Sequence, residues 1–258
     1  MNAEKQAEEY LFNLMLKFCK PLYCHEVDAP WPRPVKGGTC FFLRFGDVTF
    51  GVTAAHVIEV LLGRHRERRQ VFQVGNAGID LEHSLIDLDT DLDIATFRFD
   101  RTTLEEIGGM AFVCSADDWP PPSPKPLWKL GFVGFPEKMT EVKALNHAEF
   151  LAYGSMSAVE DVSDRDIICT YDPARDEAMP GFAKPDLGFN MSGCSGGPAI
   201  MYYTSNGLTR WRPVGLIYKG PLGRAEGESE EFDIIRIRLL KYVKPDGTLK
   251  RDASGWLP

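Results

Sequence analysis

Thr39-Cys40-Phe41-Phe42-Leu43-Arg44-Phe45, then Gly46-Asp47, then Val48-Thr49-Phe50-Gly51-Val52-Thr53, is the stretch whose reading decides the fold class. Two apolar runs, rich in aromatic and β-branched residues, flank a Gly-Asp pair with the chemistry of a tight turn, and together they read as a hairpin. Outward from it the pattern repeats. Short apolar or alternating runs broken by Gly, Pro, Asp and Asn predict strands over 69–74, 84–88 and 94–99, and after a gap over 128–135, 149–157, 167–171, 199–203, 212–218 and 232–237. That is the signature of an antiparallel all-β architecture.

The gap is the segment 115–126, whose five prolines remove backbone donors and forbid continuous sheet pairing. It divides two β-rich parts of similar size. The expected organisation is a helical N-terminal extension over 1–35, a first β-domain over 36–115, a Pro-rich linker over 116–126, a second β-domain over 127–240 and a tail over 241–258. Residues 3–20 mix Glu and Lys with Leu11, Phe12, Leu14, Met15, Leu16 and Phe18, the pattern of an amphipathic helix packed on a domain.

The totals narrow the function classes. A formal charge of −8 argues against a nucleic-acid or anionic-membrane surface, which would draw its affinity from clustered Lys and Arg. The basic run Arg64 to Arg69 is the exception, read as a solvated loop. No run approaches the roughly 20 apolar residues of a membrane span, and no secretory leader is legible, so the expectation is a cytoplasmic protein. The six cysteines show neither CxxC pairs nor a compact framework, and the five histidines are scattered, so reduced thiols and no metal site are expected.

Three short motifs carry chemistry. Gly193-Cys194-Ser195-Gly196-Gly197-Pro198 offers a serine on a tight turn, where glycines accept positive φ and let a substrate backbone approach. Val52-Thr53-Ala54-Ala55-His56-Val57 runs from a strand through small residues to a histidine with room to face a cleft, its ordinary pKa suited to proton transfer at neutral pH. Asp91-Leu92-Asp93-Ile94-Ala95 places a carboxylate at the head of an apolar strand. Standing alone, the acidic run 87–93 would read as a loop or cation site.

Together, and in the order His, Asp, Ser, these motifs resemble the trypsin/chymotrypsin-like serine peptidases over roughly 37–237. Gly38-Thr39-Cys40-Phe41 is similar to the strand that opens the first barrel of that family. Leu130-Gly131-Phe132-Val133-Gly134-Phe135-Pro136 resembles the segment that opens the second, and Val214 to Gly220 the strand after the serine loop. The resemblance implies two six-stranded antiparallel β-barrels with a catalytic cleft between them. It implies Ser195 as nucleophile, His56 as general base, Asp93 as the carboxylate that orients the histidine, and the amides of Gly193 and Ser195 as an oxyanion hole.

By the same resemblance Phe189 falls at the base of the primary specificity pocket, and Tyr218, Lys219 and Gly220 pair with the substrate backbone. With Phe189 in place of an acidic residue, apolar or small side chains are favoured there over Lys and Arg, and Lys219 favours an acidic group nearby. No cofactor is called for, and the implied partner is a protein or peptide substrate. Two departures, Cys194 where zymogen-activated members carry Asp and Val57 where they carry a disulfide cysteine, agree with the bacterial HtrA-like branch without a PDZ domain. A peptidase of this kind needs restraint or a regulatory partner. A catalytically silent binding module and an esterase using the same three residues remain open alternatives.

Overall fold

The computed structural model of the 258-residue chain describes residues 3–26, 35–65, 70–144, 147–172, 189–205, 208–222 and 233–251. Helix α1 (Ala3–Phe18) leads directly into β1 (Cys19–Glu26), followed by β2 (Val35–Phe45), β3 (Val48–Thr53), helix α2 (Ala55–His65), β4 (Gln70–Val74) and β5 (Ala77–Ile79). Next come the short helix α3 (Leu81–Ser84), β6 (Leu85–Asp89), β7 (Ile94–Arg98), α4 (Arg101–Glu106) and β8 (Phe112–Cys114). The β2–β3 hairpin is as expected, with Gly46 at φ +57° in its turn. Its residues are interior on both sides, since Phe41, Phe42, Leu43, Phe50 and Val52 are fully buried.

These strands form one sheet in the order β5-β4-β1-β2-β3-β7-β6, with β8 added in parallel to the far end of β2. The all-β expectation holds, and the half expected as a first six-stranded barrel is, among the described residues, an eight-stranded sheet curled into a half-barrel. The N-terminal extension also differs. Only residues up to Phe18 are helical, and Cys19–Glu26 enters the sheet between β2 and β4. Helix α1 seals one face through Phe12, Met15 and Phe18, the last stacking on Phe112 at 4.3 Å.

Beyond the Pro-rich connector lie β9 (Lys129–Gly134), the β10 (Thr140–Ala144) and β11 (His147–Phe150) hairpin, β12 (Tyr153–Val162), β13 (Asp166–Tyr171), β14 (Pro198–Ser205), β15 (Leu208–Lys219) and β16 (Asp233–Leu239). Six of them close a barrel in the order β12-β13-β16-β15-β14-β9, as expected for the second half. Its interior is filled by Leu130, Phe132, Tyr153, Ile167, Tyr171, Ile235 and Ile237.

After β16 the chain crosses back. Leu240, Tyr242, Val243 and Leu249 are buried in the core of the first half, and the Val243–Leu249 bridge closes a tight loop. The Thr96 hydroxyl donates to the Gly247 carbonyl at 2.6 Å, and the Trp119 indole donates to the Val243 carbonyl at 2.6 Å. The segment expected to be a free tail is therefore, up to Arg251, a strap that ties the two halves together. Among the described residues no helix is long and apolar enough to cross a membrane.

Candidate active site

The serine loop is two linked β-turns. The Cys194 amide donates to the Met191 carbonyl and the Gly197 amide to the Cys194 carbonyl, both at 2.9 Å. Gly193 and Gly196 occupy the third position of each turn at φ +97° and +86°, where a side chain is strained. Space forbids one as well, because a Cβ on Gly193 would lie 2.5 Å from the Phe135 carbonyl and one on Gly196 would lie 2.0 Å from the Thr39 carbonyl. The Gly193-Cys194-Ser195-Gly196 spacing is thus dictated by two tight turns pressed onto neighbouring strands.

Those turns spend the amides of Cys194, Gly196 and Gly197, the Gly196 amide donating to Ile217 at 2.7 Å. The amides of Gly193 and Ser195 donate to no acceptor among the described residues. Backbone donors left over beside a serine are the kind of group that holds a negative oxygen.

His56 sits in the first turn of α2, straight after β3, and Asp93 heads β7, the neighbour of β3 in the sheet. That adjacency brings them together. His56 Nδ1 lies 2.8 Å from Asp93 Oδ2 and 3.0 Å from Oδ1, and the His56 amide donates to Oδ1 at 2.9 Å. A carboxylate only accepts, so Nδ1 carries the proton and Nε2 is the basic nitrogen. The imidazole is 42% exposed and the carboxylate 19%, which leaves the ring reachable while its partner is shielded. Asp93 adopts φ +52°, a left-handed conformation that costs an ordinary residue about 1–3 kcal/mol and is held by the turn before it.

The serine loop is seated against the same region. The Ser195 carbonyl accepts from the Thr39 amide at 2.8 Å, and Gly38 is wedged so that a Cβ there would come within 3.0 Å of both Val57 and the Ser195 carbonyl. Ser195 is half-buried, and its hydroxyl makes no hydrogen bond among the described residues. The structure thus couples His56 to Asp93 directly, and brings Ser195 to their side of the molecule by its backbone.

Sequence reasoning missed Thr39, which orders this region. Its hydroxyl donates to the Gly193 carbonyl at 2.8 Å and accepts from the Phe135 amide at 2.9 Å, while its carbonyl accepts from Thr53 at 2.7 Å. All of this occurs in a fully buried residue. Nothing local distinguishes Thr39 from any other strand threonine.

Compared with known proteins, the chain matches no family model and no curated sequence.

The residues named for specificity are more scattered in environment. The Phe189 ring is buried in the second barrel's core, 5.2 Å from Tyr153. Residues 189–191 run beside 220–222, joined by the Asn190–Leu222 bridge and the Met191 amide to the Pro221 carbonyl at 2.8 Å. Met191, unnoticed in the sequence, fills the space where Gly220 lacks a side chain. Tyr218 turns its ring under the Arg238 guanidinium at 4.6 Å, and burial, then the charge of Asp166, push its phenol above the ordinary value. Lys219 is exposed. Among the described residues, no three His, Cys, Asp or Glu side chains gather as a metal-binding set, and the basic run beyond Gly63 lies outside the described side chains.

Proposed function

We propose that the chain is a serine endopeptidase, cleaving peptide bonds through an acyl-enzyme formed on Ser195. The observation that carries this reading is the pairing of a carboxylate-oriented imidazole, 2.8 Å from Asp93, with a serine loop whose Gly193 and Ser195 amides are unspent among the described residues. His56 Nε2 takes the Ser195 proton as the hydroxyl attacks the scissile carbonyl, and returns it to the leaving amine. Asp93 holds the tautomer and stabilises the imidazolium, and the two free amides receive the oxyanion.

Substrate backbone is expected along Tyr218, Lys219 and Gly220. Met191 against Gly220, two residues along from Phe189 in the barrel core, favours a small or apolar side chain at the cleaved residue. Six cysteines outside disulfides suit a reducing compartment, in keeping with a cytoplasmic enzyme whose activity is restricted by a partner or by access.

A second reading, a binding module with the same architecture, draws on the Ser195 hydroxyl, which stands without a hydrogen bond among the described residues. Free-enzyme contacts of this kind are often long and tighten when substrate binds. An esterase would use the same groups. Reaction of the purified protein with a fluorophosphonate probe, followed by digestion of a peptide library, separates the three. The peptidase reading expects labelling and peptide cleavage by the parent, and a loss of at least about a thousandfold in Ser195→Ala. Labelling without peptide cleavage leaves the esterase. Absence of labelling in parent and variant alike leaves the binding module.

A further inference from the structure

The turn that presents Asp93 is itself held from outside its own sheet. Asp89 Oδ1 accepts the amides of Asp91 at 3.0 Å and Leu92 at 2.9 Å, which winds residues 89–92 into a compact turn and sinks Leu92 into the core. The other carboxylate oxygen, Oδ2, meets Arg251 Nε at 3.2 Å. Arg251 also donates to the Leu88 carbonyl at 3.0 Å and grips Asp87 with both terminal nitrogens. From the second barrel, Arg165 donates to the Asp91 carbonyl through Nη2.

We propose that Asp89 is a positioning residue for the His56–Asp93 pair, locked in place by Arg251 of the strap, so that the histidine is oriented only when the strap is docked. This inference rests on the peptidase reading for its consequence in catalysis, but its structural content concerns the pair alone. The route is short and continuous. Arg251 fixes Asp89, Asp89 fixes the Asp91 and Leu92 amides, and that turn forces Asp93 into the positive φ from which both its oxygens face the His56 ring. An Asp89 free to rotate would release the two amides, and Asp93 would relax towards ordinary backbone angles with its carboxylate turned from the ring.

The test compares Asp89→Ala, Asp89→Asn and Arg251→Ala in the full chain. It uses two readouts, the rate of fluorophosphonate labelling and the solvent exchange of the His56 Nδ1 proton followed by NMR of histidine-labelled protein. Asparagine keeps the amide-accepting oxygen and loses only the charge, whereas alanine loses both. Asp89→Ala is expected to slow labelling by about ten- to a hundredfold, the scale of a small misplacement of a catalytic group. It should also speed that exchange, as the carboxylate withdraws and the Nδ1 proton loses its acceptor. Asp89→Asn should return both towards the parent, with Arg251→Ala in between, while thermal unfolding stays cooperative in each.

Parent-like values in Asp89→Ala, or equal impairment in the asparagine variant, overturn the proposal. Should Asp89→Ala fail to fold, Arg251→Ala with parent-like exchange of the His56 Nδ1 proton overturns it. A parent that is never labelled counts against the peptidase reading and not against this one, because the His56 Nδ1 proton still reports on the pair.

Discussion

Thr39 shows how much of a site can rest on one small side chain. Its single hydroxyl serves Gly193 in the serine loop and Phe135 at the end of β9, and its amide holds the Ser195 carbonyl. Thr39→Val keeps the shape and leaves a carbonyl and an amide buried without partners. The expected cost is about 1–3 kcal/mol in urea unfolding, together with slower fluorophosphonate labelling, and Thr39→Ser should recover most of both. The contrast with Ser195, His56 and Asp93 explains what was legible. Those three lie in motifs with local marks: glycines required by turns, small residues before a histidine, an acidic head on an apolar strand. Thr39 takes its role from a residue 154 positions away. No local pattern encodes that distance.

At the scale of elements, strand existence was readable and strand partnership much less so. The β2–β3 hairpin and the strands of the second barrel follow from alternation and turn residues. By contrast, β1 contains Pro21 and continues an amphipathic helix without a break, so its sequence resembles the end of an extension. It is a strand because β2 and β4 flank it on both sides. The strap was misread as a tail for a similar reason, since its anchors are Thr96, Trp119 and Asp87 rather than its own residues.

Asp87 makes the strap sensitive to acid. Burial by itself would raise its carboxyl, but the Arg251 guanidinium and the Leu249 and Leu88 amides outweigh that and hold it below the usual range. A depressed carboxylate contributes its stability in full above the unfolded value of about 3.9 and loses it as pH falls through the folded one. Exchange of the Leu249 amide, bonded to Asp87 Oδ2 at 2.9 Å, should therefore accelerate below about pH 4 in the parent. In Asp87→Asn it should be faster at neutral pH and far less dependent on acid.

For the whole molecule, the burial of thiols gives a test of the packing. None of the six cysteines is in a disulfide, and burial pushes Cys19 and Cys169 up to about 12 and Cys114 up to about 11. Cys40 and Cys194 are raised for the same reason. Thiols of this kind are poor nucleophiles near neutrality, because the thiolate is the reactive form. Iodoacetamide at pH 7.5 should modify all six readily in urea, whereas the folded protein should react only slowly, with Cys114 first. Rapid modification of Cys194 in the folded protein would mean that the serine loop opens far more than its contacts allow.

The strap also imposes an order of events on biosynthesis. Domains fold from the N-terminus as they are made, so a growing chain holds the hairpin, His56 and Asp93 well before it has translated the loop that Thr96 grips at Gly247. Throughout that interval the nascent polypeptide would carry an unclamped histidine turn.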